Sequence, residues 1–203
     1  EKGITKVRAL EACGQSIHAM LIDGENTVVS DPDRQHCEEA LKTLEHLVVI
    51  DIFLTETAQL ADVVLPATAW AETDGVFTNT ERRVQRVRAA VSPAGEARPD
   101  WQIVCEIAKR LGFEGFDFTE PKEIFNELCN VSPIYNGLDW DRIEKGEYQW
   151  PVPQAGHPGT PILHEDEFPN GRGVFKVINY RDPAETISEN YPVWLTTGRR
   201  LAS

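Results

Sequence analysis

An α/β fold, built on a parallel, doubly wound, Rossmann-like sheet with helices on both faces, is predicted for the first half of this chain by three observations. Leu47-Val-Val-Ile50 is a continuous apolar run, the pattern of a strand covered on both faces in a parallel sheet. Short apolar runs alternate with helical spacings, giving strand, helix, strand, helix, strand in about fifty residues, the signature of βαβ units. Turn and cap residues punctuate these segments: Asp23-Gly24, Ser30-Asp-Pro-Asp33 and Pro66.

Taken in order, Val7, Leu10, Cys13 and Ile17 share a helical spacing, and the run His18 to Ile22 reads as a strand ended by Asp23-Gly24. Ser30 or Asp31 caps the next helix, Pro32 suits its first position, and the helix runs from Asp33 to Leu44. Cys37, Ala40, Leu41 and Leu44 lie on one face of it. After Leu47–Ile50, Thr55 opens a helix with Glu56 in its first turn, reaching Leu60. Ala61 to Pro66 is a second short buried strand closed by Pro66. Pro99-Asp100 caps a helix over Trp101 to Leu111 that stops at Gly112. Prolines and glycines then become dense, so 113–190 reads as a long irregular connector with one helix, Pro121 to Cys129, and short strands such as Val174 to Val177. Tyr191-Pro-Val-Trp-Leu-Thr-Thr-Gly-Arg-Arg200 reads as a new strand, the start of a truncated domain over 191–203.

The 203 residues carry a net charge of −13, which excludes a general nucleic-acid binder because that function needs a basic footprint. An anion site here must rest on local backbone N–H groups and a few basic side chains. The longest apolar runs are far too short to cross a bilayer, and Glu1 to Glu11 does not resemble a signal peptide. Cys13, Cys37, Cys105 and Cys129 are scattered without a C-x-x-C pair, and the five histidines are dispersed, so no metal site is expected from this chain alone. Cys105, among Ile103, Val104 and Ile107, reads as a small buried hydrophobe.

Ligands of open parallel sheets bind at the carboxyl ends of the strands. That rule selects Asp23-Gly-Glu-Asn26, Asp51 to Thr55, and the segment from Pro66. Asp51 either accepts hydrogen bonds from a ribose or a purine amine, or caps the helix that follows. Thr55 either caps that helix or bonds a phosphate. Gly24 and Asn26 have the chemistry of a turn, with Asn26 offering both a donor and an acceptor. Arg82, Arg83, Arg86 and Arg88 concentrate positive charge, suited to phosphate or carboxylate, though such a run is more often a solvated or partner-facing surface. No nucleophile elbow, P-loop or G-x-G-x-x-G is present, so no catalytic residue is assigned. The residues themselves point to an α/β domain with a nucleotide-like ligand at its strand ends.

Several strings then resemble one family: Gly24-Glu-Asn26 with Ser30-Asp-Pro-Asp33, Val49 to Ala58, Ala61-Asp-Val-Val-Leu-Pro66, Gly75 to Arg86, and Gly95-Glu-Ala-Arg-Pro-Asp-Trp101. Together they resemble the bis-molybdopterin guanine dinucleotide oxidoreductases, most of all the large subunits of formate dehydrogenases. The resemblance is dense over Ala19 to Gly112 and returns at Tyr191 to Leu201. It implies an internal fragment of an enzyme that interconverts formate and carbon dioxide at molybdenum or tungsten. In such an enzyme the cysteine or selenocysteine ligand, the substrate histidine and arginine, and a 4Fe–4S cluster lie upstream of Glu1. On this chain it places one guanine dinucleotide's cradle: Gly24, Glu25, Asn26, Asp51, Thr55 and Asp100, with Thr197, Gly198 and Arg199 as the beginning of a pterin-contacting turn in a carboxyl-terminal barrel domain. It makes 1–112 part of the dinucleotide-binding domain. It also implies the remaining domains of a parent chain and electron-transfer subunits as partners, no membrane insertion, and a cytoplasmic setting. Nitrate reductases and the large subunit of respiratory complex I share the scaffold. A non-catalytic scaffold holding a partner through Arg82 to Arg88 is the reading outside enzymes. Exposed apolar edge in a truncated sheet would favour a homo-oligomer. Thr27 stands where the family usually carries proline, which is expected to loosen that turn.

Overall fold

β2 (His46–Asp51) is the middle strand of the larger sheet, and its alternation organises what surrounds it. Leu47 and Val49 point to one face, where they pack with Leu10, Cys13, Cys37, Ala40 and Leu41; Ile50 points to the other, against Ala67 and Ile103. The first group comes from the region of α1 (Lys6–Ala12) and from α3 (Arg34–Leu41), the second from α4 (Asp100–Arg110). Helices therefore cover both faces of a parallel sheet, as expected. β1 (Ala19–Asp23) and β3 (Val63–Pro66) flank β2, and the register pairs Asp23 with Ile50 and Asp51 with Pro66. The computed structural model describes residues 3–183 and 185–196, and the chain divides into two compact units after Pro161.

Several local expectations are corrected. β3 is not a buried strand: Val63 is 39% and Val64 36% exposed, because among the described residues β3 is an edge and only Leu65 and Ala67 meet the core around Ile50. The cap of α3 is Asp33, whose carboxylate accepts the His36 N–H at 3.0 Å. Ser30 instead ends a short helix, α2 (Thr27–Ser30), which the sequence did not announce, and Pro32 precedes the cap. α3 stops at Leu41 because the Thr43 hydroxyl donates to the Ala40 carbonyl at 2.7 Å and turns the chain toward β2. Thr27 does not loosen its turn. It is buried as the first residue of α2, and the neighbouring Val28 N–H donates to Thr57 Oγ1 at 3.0 Å. The helix expected from Thr55 contracts to a single 3₁₀ turn, Ala58–Leu60, with Thr55 Oγ1 accepting the Ala58 N–H. Asp100 is the first residue of α4, and the cap position belongs to Pro99.

A second sheet was not anticipated. β4 (Gly75–Thr78) and β5 (Arg83–Val87) form an antiparallel hairpin, joined by the short β6 (Tyr148–Gln149). It packs on α5 (Pro121–Val131) and α6 (Trp140–Ile143) around Val84, Phe125, Cys129, Leu138, Ile143 and Val152. Residues 113–161 thus hold a folded layer built with the hairpin. Burial pushes the Cys129 thiol up to about 11, and all four cysteines are free and buried, which makes them packing groups.

The arginines of β5 overturn the solvated or partner-facing reading. Arg86 is 7% exposed and stacks 3.7 Å over the Trp140 ring while donating to Glu144 at 2.7 Å and to the carbonyls of Gly75 and Val87. Arg82 donates to the carbonyls of Trp150, Thr160 and Pro161, and Arg88 shares Glu144 with Arg86. Arg82 and Arg86 are internal rivets that tie the hairpin strand to distant segments, while Arg83 and Arg88 form ion pairs nearer the surface.

In the unit after Pro161 the described residues contain no helix, and their only bridge joins Phe168 to Gly171. Val174 to Val177 is not a strand, nor is Tyr191 to Thr196; Val174 and Val177 stand exposed, without the partner ladder a strand needs. Thr197, Gly198 and Arg199 lie outside the described residues.

Candidate functional site

The parallel register brings three carboxylates to one end of the larger sheet. Asp23 is the last residue of β1 and Asp51 the last of β2. Asp100 arrives from elsewhere in the sequence, because Ala67, just past β3, bridges to Arg98, whose N–H donates to the Pro66 carbonyl at 3.0 Å. That bridge delivers the first turn of α4 to the strand ends. Asp23 is held above its ordinary value of 3.8, first by the protein atoms crowding it, then by the charge of Asp100 and a hydrogen bond with it, then by the charge of Asp51. Asp23 therefore lies near enough to Asp100 and Asp51 to feel their charge, and the three groups form one cluster of acceptors.

The sign of that repulsion is testable. The folded chain holds a proton on Asp23 that the unfolded chain has released, so stability falls as pH rises from about the ordinary value 3.8 through the raised one. Asp23→Asn is expected to raise the melting temperature at pH 7 and to leave it unchanged at pH 3. An equal gain at both values would show that charge is not the cause.

The surrounding loops are tightly tied. Gly24 adopts φ +64°, which lets its N–H donate to the Ile50 carbonyl at 2.9 Å and turns β1 away sharply. Asn26 Oδ1 accepts from the Thr57 N–H (3.2 Å) and hydroxyl (2.8 Å), while its amide donates to Glu56 at 2.7 Å. Glu25 turns to Lys6 at 2.8 Å and to the Ser30 hydroxyl at 2.9 Å, and these bonds hold its carboxyl below the usual range. Asp51 Oδ1 accepts from the N–H groups of Ile52 and Phe53 at 2.7 and 3.3 Å.

The structure thus gathers Gly24, Asn26, Asp51, Thr55 and Asp100 at the strand ends, with Glu25 engaged toward α1. Three further residues belong there. Asp23 lay in a segment the strand-end rule selected, but its carboxylate was not named as a ligand group, although an apolar run followed by Asp occurs at the ends of both β1 and β2. Thr57 is fully buried as the partner of Asn26 and Val28. Thr68, two residues past β3, is buried, and its hydroxyl has no partner among the described residues. Among the described residues no group of three or more His, Cys, Asp or Glu is arranged to hold a metal ion, and no helix is long and apolar enough to cross a membrane.

An acceptor-only cluster suits a ligand that presents several N–H donors on one edge, as a purine bearing an amino group does. It does not suit a phosphate, which three carboxylates would repel. The residues present therefore fit the base of a nucleotide.

The chain is 50% identical over 200 residues to the F420-dependent formate dehydrogenase subunit alpha of Methanocaldococcus jannaschii, covering 97% of this chain and 30% of that protein. With the F420-dependent formate dehydrogenase 2 subunit alpha of Methanococcus maripaludis the identity is 49% over 202 residues, covering 98% of this chain and again 30% of the relative. The chain thus spans 30% of the length of these curated relatives. Among solved structures, acetylene hydratase from Pelobacter acetylenicus matches 70% of this chain and 20% of its own with a TM-score of 0.56 and 26% identity. The molybdopterin oxidoreductase family model matches residues 1–110, more than half of the chain, and the protein belongs to that family.

Proposed function

We propose that this chain is part of the large subunit of a formate dehydrogenase, and that its strand ends hold the guanine of a molybdopterin guanine dinucleotide. Family membership implies a molybdopterin cofactor. The observation that carries the finer reading is the gathering of Asp23, Asp51 and Asp100 at one end of the parallel sheet, an array of acceptors that a ligand bringing N–H donors would satisfy. A carboxylate facing guanine accepts from N1–H and the exocyclic amine together, a pairing that adenine does not offer. When bound, the cofactor's metal, molybdenum or tungsten, supplies the two-electron chemistry that interconverts formate and carbon dioxide. The residues of this chain orient the far end of the cofactor: Asp51 and Asp100 read the base, Gly24 and Asn26 shape the rim, and Thr55 fixes the loop after β2. Thr197, Gly198 and Arg199 are assigned to the pterin side.

The relatives are named as alpha subunits, which supports further subunits, carrying electrons, as partners; a 4Fe–4S cluster outside this chain and a cytoplasmic setting belong to the same proposal. We divide the chain into a nucleotide-binding part at 1–112, a segment at 113–190 whose first part, to Pro161, is the layer folded with the hairpin, and the beginning of a carboxyl-terminal domain at 191–203. The scaffold alternative loses its footing, since Arg82 and Arg86 are spent on the chain's own carbonyls.

Calorimetric titration of the cofactor-free protein with GMP tests the proposal, with AMP as control. GMP is expected to bind and AMP not. Asp100→Asn or Asp51→Asn should weaken GMP about tenfold or more, in line with ~1–3 kcal/mol for a bidentate base contact. Equal binding of both nucleotides, or full affinity in both variants, would refute it.

A further inference from the structure

Directly beyond Asp51, the chain turns three large apolar side chains outward. Ile52 is 48%, Phe53 73% and Leu54 67% exposed. Three consecutive exposed hydrophobes at a strand end call for an explanation, because a folded chain loses free energy by leaving them in water. The turn is also held firmly. Asp51 Oδ1 accepts the Phe53 N–H, the Phe53 carbonyl accepts the Thr55 N–H at 2.9 Å, and the Leu54 carbonyl accepts from the Gln59 amide at 3.3 Å. Phe53 is therefore presented on a pinned backbone, one residue removed from an acceptor cluster. An aromatic face beside hydrogen-bond acceptors matches one kind of occupant: a flat ring system with an apolar face and an edge of N–H donors.

We propose that Phe53 is the stacking platform for the purine, with Ile52 and Leu54 as its apolar rim, a role that rests on the nucleotide reading of the carboxylates. Division of labour follows from the chemistry. Stacking is blind to base identity because every base has a π face, whereas the carboxylates sense the donor pattern of the edge. Phe53 thus sets affinity, and Asp51 and Asp100 set the preference for guanine.

Titrations of the cofactor-free full-length protein with GMP and with inosine monophosphate, which lacks the exocyclic amine, separate the two roles. Phe53→Leu is expected to weaken both nucleotides about tenfold and to keep their ratio. Asp100→Asn should collapse the ratio. Phe53→Trp should retain affinity and show its fluorescence quenched on GMP addition. In this chain, where Phe53 is exposed, Phe53→Leu should melt at the same temperature as the unaltered chain. Full GMP affinity in Phe53→Leu, with Asp100→Asn still impaired, overturns the platform and leaves the carboxylate reading standing. A lowered melting temperature in Phe53→Leu also overturns it, by showing that the ring is a packing group. Absence of GMP binding to the unaltered protein removes both.

Discussion

Arg86→Ala lowers stability by about 3 kcal/mol, because it strips buried carbonyls and a carboxylate of their donor at once. The guanidinium lies against Trp140, donates to the carbonyls of Gly75 and Val87, and pairs with Glu144. The side chain is only 7% exposed, so its partners are left in a poorly solvated site when it is removed. A chain of this size should lose roughly 10 °C in melting temperature for that change. Arg86→Lys should recover only part, since an ammonium has neither the flat face nor the fork. Arg83, whose pairs with Glu81 and Glu147 lie at the surface, is the control, and its alanine variant should stay within about 0.5 kcal/mol. Thermal unfolding that gives equal losses for Arg83→Ala and Arg86→Ala would mean that the burial of Arg86 has no energetic weight.

Gly137→Ala is expected to be as damaging, for a steric reason. A Cβ there would collide with the Gln154 carbonyl oxygen and sit 2.7 Å from that of Val152, and both are backbone atoms that cannot swing aside. The same crossing is closed by the Gly137 N–H donating to the Val152 carbonyl at 2.6 Å, and Arg142 bonds the Gly137 carbonyl. Relief requires separating the two segments, at about 3 kcal/mol, the upper part of the range for overpacking. Gly146→Ala is the matched comparison, because its added carbon would meet only the Tyr148 ring at 3.7 Å, an ordinary contact. Denaturant titration should show a lowered midpoint for the first variant alone. Equal midpoints would show that the crossing gives way freely.

The larger sheet was legible because its signals are local. Leu47–Ile50 is apolar without interruption, and strands so covered announce themselves in a window of a few residues. The edge position of β3 was not legible, since exposure of Val63 and Val64 depends on what lies beside them and not on their own identity. The hairpin was hidden by chemistry that hydropathy does not register. Arg83-Val84-Gln85-Arg86-Val87 alternates as a strand should, but guanidiniums in place of apolar groups gave it the look of a charge run. At the site, the strand-end rule points to the segments that hold Asp23 and Asp51 alike. The carboxylate of Asp23 was not singled out because its significance comes from Asp100, which only the bridge between Ala67 and Arg98 brings near. The Arg run shows the converse error: a local signal with a clear chemical meaning was answered entirely within the molecule.

The amide of Asn26 gives the strand-end loops a shared fate. It spans from the turn after β1 to the turn after β2 through Thr57 and Glu56, and Thr57 in turn accepts the amide of Val28 in the first turn of α2. Neither loop can swing outward without breaking the bonds that hold the other. In hydrogen exchange the amides of Val28 and Thr57 should therefore open in a single event of one free energy. Whatever occupies the mouth of the sheet on the β1 side will slow exchange on the β2 side as well, so the two loops behave as one jaw.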